Sequence, residues 1–152
     1  MKIKILSRQT VIDDSLTDAS ADSAVLNGGS DVITVENEFP AEVSHKGDTT
    51  VISYFDPDEK AESEISFLKT APHKVTVRRR FEGKSEIVFE KGRIFEGVYE
   101  TPFGNIDLCV FTEELSNTVS PRGVGSISIR YECELRGCDV QLIELDMKLF
   151  EE

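Results

Sequence analysis

Apolar and polar residues alternate along most of this chain. A period of two marks a β-strand, whose successive side chains point to opposite faces of a sheet. The alternation is densest from His73 to Thr112, which reads as four strands: His73–Phe81, Lys84–Glu90, Arg93–Thr101 and Asn105–Thr112. In the first, Val75, Val77, Arg79 and Phe81 share one face, with Lys74, Thr76, Arg78 and Arg80 on the other. Ser85, Ile87 and Phe89 then oppose Glu86, Val88 and Glu90. Phe95, Gly97, Tyr99 and Thr101 oppose Ile94, Glu96, Val98 and Glu100, and Ile106, Leu108 and Val110 oppose Asp107, Cys109 and Phe111. The links Glu82-Gly83 and Lys91-Gly92 place glycine where a tight hairpin needs positive φ. Pro102-Phe103-Gly104 makes the third turn.

The same period predicts strands on either side. Lys2–Ile12 carries Ile3, Ile5, Ser7, Gln9 and Val11 on one face. Asp31–Val35 reads as a strand interrupted at Asn37-Glu38-Phe39-Pro40, with Ala41–Lys46 resuming after a bend. Thr49–Phe55 is rich in β-branched and aromatic residues. Glu62–Lys69 turns Ile65 and Phe67 inward, while Glu113–Val124 reads as a loop. Gly125–Leu135 sets Ile127, Ile129, Tyr131, Cys133 and Leu135 against Ser126, Ser128, Arg130, Glu132 and Glu134. Val140–Phe150 closes the pattern with Ile143, Leu145, Met147 and Leu149 inward. Asp13–Ser30 differs in being acidic and rich in small residues. It is read as a mobile or disordered surface insertion, a lid, or a short helix over about Thr17–Leu26 stopped at Asn27 or Gly28.

Roughly eight to ten short strands at this spacing predict an all-β sandwich or barrel. No internal repeat or domain boundary interrupts residues 1–152, so a single domain is expected. A barrel needs one apolar face per strand and leaves no exposed sheet edges.

The run Ser85-Glu86-Ile87-Val88-Phe89, then Gly92, Tyr99-Glu100-Thr101-Pro102-Phe103-Gly104 and Thr112, resembles the YwiB-like family. These are small bacterial proteins of unknown function. The resemblance runs from about Asp48 to the C-terminus and is most specific at the Tyr-Glu-Thr-Pro-Phe-Gly segment. Phe103 replaces a second Tyr usual in that family, and Asp14–Ser30 stands outside its pattern. The resemblance implies a closed antiparallel, mostly up-and-down, calycin- or lipocalin-like barrel. It transfers no activity, substrate or catalytic residue.

Charge narrows the partners. A net charge of −12 argues against nucleic acid and against anionic membrane surfaces, both of which reward cationic contacts. Cys109, Cys133 and Cys138 lack Cys-x-x-Cys spacing and read as reduced thiols, although a bridge between Cys133 and Cys138 across their hairpin stays open. The stretch Met1–Leu6 has too short an apolar run for a signal peptide, and no run is long enough to cross a membrane as a helix, so a cytoplasmic protein is expected.

Candidate chemistry is sparse. Strict alternation aims Arg79 into the barrel, where a guanidinium demands a partner: a ligand's carboxylate or phosphate, or one of the chain's own carboxylates at the barrel mouth. Tyr99, Thr101 and Tyr131 also fall on inward faces; with Ser7, Gln9, Ser53 and Arg79 they place polar groups among an apolar lining, as small-ligand pockets do. The alternative is that each tyrosine is half-buried with its hydroxyl on backbone. His45 and His73 have no ligand-spaced neighbours, and the acidic clusters lack calcium-loop spacing, so neither metal nor cofactor is expected. No nucleophile elbow or phosphate-cradling loop is present, and no catalytic residue is assigned. The leading expectation is a non-catalytic binder of a small organic ligand, anionic if Arg79 anchors it, with Arg79, Tyr99, Thr101 and Tyr131 as contacts. The alternative is a protein-interaction or structural module with a filled core, binding through an outer face with Phe39, Val88, Val98 and Phe111 or through the stretches Asp13–Ser30 and Glu113–Val124. An enzyme would need an unrecognised constellation in the barrel mouth.

Overall fold

The computed structural model describes residues 1–12, 32–136 and 138–151. The strands are β1 (Lys2–Ile12), β2 (Val32–Lys46), β3 (Thr49–Asp56), β4 (Ala61–Leu68), β5 (Ala71–Arg80), β6 (Lys84–Glu90), β7 (Ile94–Thr101), β8 (Gly104–Asn117), β9 (Gly125–Leu135) and β10 (Val140–Phe150). They close into one antiparallel barrel in the order β1-β10-β9-β8-β7-β6-β5-β4-β3-β2, so each strand pairs with its sequence neighbours and β1 seals the ring against β10. No helix occurs among the described residues. The lid or helix expected in Asp13–Ser30 lies outside them.

Inward side chains fill most of the interior. Ile3, Ile52, Ile65, Val75, Val110 and Ile127 are fully buried, with Phe89, Ile129 and Leu149 nearly so. Phe89 packs against Tyr131 with ring centroids 4.7 Å apart. One rung across five strands, Val43–Ile52–Ile65–Val77–Ile87, is wholly apolar.

Several sequence expectations change. β2 runs unbroken through Pro40 because the strand changes partner there. Its last rung with β1 is Lys2↔Pro40 and its first with β3 is Ala41↔Tyr54, and the Ala41 N–H donates to the Met1 carbonyl at 3.0 Å. A proline's missing donor costs least at such a handover. The expected loop from Glu113 is strand as far as Asn117. A register shift between Thr112 and Glu114 offsets the alternation by one residue, which returns Leu115 to the inner face opposite Ile129. Phe39, expected outside, packs on the core and stacks on Tyr54 at 5.3 Å. Ser53, expected inside, pairs with Glu42 and Glu64 on the face opposite buried Ile52.

All three cysteines are free. Burial pushes the Cys133 thiol from 9.0 up to about 11, with Cys109 adding to the effect. Burial likewise pushes the Tyr131 phenol upward. The folded chain keeps these protons at a pH where the unfolded chain sheds them, so the stabilisation is intact below about pH 9 and declines above it. The denaturant midpoint should therefore fall as pH rises from 9 towards about 11, and Cys133→Ala should flatten that fall. A midpoint that is flat across this window in the parent would contradict the burial of both groups.

Candidate functional site

Immediately above the apolar rung lies a polar one. Ala41, Tyr54, Ser63, Arg79 and Ser85 are in register across β2 to β6 and share the inner face. β3, β4 and β5 put these residues one alternation step from Ile52, Ile65 and Val77, so the same period that builds the core delivers them to its edge.

A cavity of about 1220 Å³ opens on this rung. Inner-face residues Ala41, Tyr54, Ser63, Arg79, Ser85, Phe95 and Gly97 line it together with Met1, and outer-face residues including Glu64, Arg78, Glu86 and Val98 extend it across the barrel wall. It lies beside the seam between β6 and β7, which are paired at the single register position Lys84↔Glu100. The Phe95 ring lies over Gly97, where a Cβ would come within 2.7 Å of it.

Ser63 is 3% exposed, and its hydroxyl has no hydrogen-bond partner among the described residues. Tyr54 faces it across the β3–β4 pair. The two hydroxyls are near enough for Ser63 to favour the phenolate but do not meet in hydrogen-bonding geometry. Burial dominates and raises the Tyr54 pKa above its ordinary value, against the opposing pull of Ser63 and Arg79. Tyr54 is thus a neutral phenol at physiological pH, able to donate or accept. A buried hydroxyl left unpaired costs on the order of 1–3 kcal/mol. A polar atom entering the cavity would remove that cost.

Arg79 stands at the mouth on the inner face, paired with Glu59 and with Asp56 Oδ2 at 3.8 Å. Asp56 is buried, and its Oδ1 accepts the backbone N–H groups of Asp58 at 3.0 Å and Glu59 at 3.3 Å. Of the four ligand contacts expected from sequence, Arg79 alone borders the cavity, and Ser53, expected among its polar lining, borders it from the outer face. Tyr99 packs on Phe81 at 5.5 Å. The Thr101 hydroxyl donates to the Gly104 carbonyl at 2.6 Å and accepts the Phe103 N–H at 3.2 Å, which orders the β7–β8 turn. Tyr131 sits in the core against Phe89. Tyr54 and Ser63 escaped sequence reasoning; the parity of Ile65 and Phe67 could have placed Ser63 inward, but its rung neighbours depend on register. Among the described residues, no group of three or more His, Cys, Asp or Glu side chains converges as a metal site. No helix among them is long and apolar enough to cross a membrane.

Comparison with known proteins agrees with this architecture. A family model described as "Domain of unknown function (DUF1934)" matches residues 22–147. That match begins inside Asp14–Ser30, the segment that stood outside the resemblance read from sequence. The crystal structure of the ywiB protein from Bacillus subtilis superposes with a TM-score of 0.69 at 16% identity, covering 99% of this chain and 92% of that one. At that identity the likeness establishes the shared fold. No curated protein matches the chain.

Proposed function

We propose that this chain, which belongs to the DUF1934 family, is a non-catalytic binder of a small organic ligand held at the mouth and upper interior of its barrel. The observation that carries the reading is the buried, unpartnered hydroxyl of Ser63 on the wall of the cavity. Ligand sites combine apolar walls with a few placed polar groups. Here Met1, Ala41 and Phe95 supply the walls; Tyr54, Ser63 and Ser85 supply neutral hydrogen-bonding groups. An anionic group on the ligand would meet Arg79, whose fork matches a carboxylate or phosphate. Free thiols at Cys109, Cys133 and Cys138 support a cytoplasmic setting for this role.

Parinaric acid methyl ester, an uncharged fluorescent lipid analogue, tests the cavity directly. It should bind saturably with one site per chain. Ser85→Phe, which fills the cavity from a half-buried position, should weaken binding about tenfold or more, equivalent to roughly 1.4 kcal/mol, while leaving the thermal midpoint nearly unchanged. Non-saturable binding, or an affinity indifferent to Ser85→Phe, would sink this reading.

A second reading, an interaction module, is favoured by one observation. Phe103 is 100% exposed at the tip of a turn ordered by Thr101. A partner captured from lysate by the parent and lost with Phe103→Ala would support that alternative.

A further inference from the structure

The two carboxylates at Arg79 are held very differently. Asp56 has 13% of its side chain exposed and is fixed by the backbone N–H groups of Asp58 and Glu59. Glu59 has 64% of its side chain exposed, and among the described residues its carboxylate meets no polar partner besides Arg79. It rides on the β3–β4 turn, which ends at Lys60 in the left-handed region at φ 52°. One carboxylate is built into the turn; the other is held only at its tip.

We infer that Glu59 occupies the place of the ligand's own acid group: the cavity takes a carboxylic acid with an apolar body, whose carboxylate displaces Glu59 from Arg79 while Asp56 stays. This rests on the ligand-binding reading above. Three observations converge on it. Glu59 already satisfies Arg79 with a carboxylate, so the exchange is like for like: the guanidinium stays paired and the released Glu59, 64% exposed, passes to water. Ser63 is the rung neighbour of Arg79, and directly opposed residues on paired strands bring their Cβ atoms about 5 Å apart. A carboxylate on the inner side of Arg79 can therefore accept the guanidinium N–H on one oxygen and the Ser63 O–H on the other. Glu59 approaches from the turn and leaves that hydroxyl unmet. Uncharged ligands would use the same walls without disturbing Glu59.

The chain thereby supplies its own competitor. An exposed ion pair of this kind is favoured by a factor of about five at most, so removing it should tighten an acid by about two- to fivefold. Parinaric acid and its methyl ester differ in charge and little else. Glu59→Gln should strengthen acid binding by that factor and leave the ester unchanged. Asp58→Asn removes the same charge from the same turn without touching Arg79, and should change neither. Arg79→Met should abolish any preference for acid over ester. If the ester fails to bind the parent chain, the cavity reading itself falls. If the ester binds but Glu59→Gln does not favour the acid, or Asp58→Asn does so equally, the role of Glu59 is overturned and the cavity reading stands.

Discussion

Phe89→Ala is expected to remove roughly 3–5 kcal/mol of unfolding free energy, the usual cost of emptying a buried aromatic site. Phe89 is 1% exposed, pairs with fully buried Val75 and tilts against Tyr131 with 58° between ring planes. The last contact adds about 0.5–1.5 kcal/mol beyond area burial. β6 also depends on this side chain more than other strands depend on theirs, because its ladder to β7 has one rung while its ladder to β5 runs from Lys74↔Glu90 to Arg80↔Lys84. Against a typical stability of about 5–15 kcal/mol, the variant should be marginal. Guanidinium unfolding followed by tyrosine fluorescence would measure it, since the chain has no Trp. Phe103→Ala makes the control: a fully exposed ring should change stability by about 0.5 kcal/mol or less. A loss below about 1 kcal/mol for Phe89→Ala would mean that the core collapses around the gap far more easily than buried aromatic sites do.

Much of this architecture was readable because each strand buries one face. Ile127, Ile129 and Tyr131 are buried where strict alternation put them, as are Val75 and Phe89. The same rule sent Arg79 to the inner face, where Asp56 and Glu59 are its carboxylate partners. What alternation missed has specific causes. In β3 both Val51 and Ile52 are buried, so the strand offers no clean polar face and alternation alone reads its parity one residue out of step. That single slip exchanged Tyr54 for Ser53. At Glu113 a bulge broke the period and an acidic strand passed for a loop.

The candidate site was harder to see for a deeper reason. Tyr54, Ser63, Arg79 and Ser85 are separated along the chain and become neighbours through cross-strand register alone. Register is set by turn lengths and by mutual packing, which a single strand's pattern does not encode. Tyr99, Thr101 and Tyr131 also have inward parity, yet each has local business: a ring contact, a turn, a place in the core. Inward parity identifies a face. It does not identify the level along the barrel axis at which packing gives way to cavity.

The seam beside that cavity yields the second large effect. Gly83→Ala should cost roughly 3 kcal/mol, the upper part of the range for overpacking. A Cβ at this position would lie 1.7 Å from the Glu100 carbonyl oxygen and 2.7 Å from its carbonyl carbon. Both atoms are backbone of β7, so no side-chain rotation can relieve the clash and the turn between β5 and β6 must lift away. The rung next to it, Lys84↔Glu100, is the one position at which β6 and β7 are paired, and their side chains also form an ion pair at 3.5 Å. Lifting the turn therefore unfastens the barrel at its weakest join. Hydrogen exchange should accelerate in β6 and β7 while β9 and β10, paired from Gln141↔Cys133 to Leu149↔Gly125, keep their protection. Because Lys84, Ser85, Phe95 and Gly97 line the cavity, the same substitution should also weaken binding of the uncharged ester. Unchanged exchange in β6 and β7, with an unchanged denaturant midpoint, would show that the turn can move freely and that the seam is held elsewhere.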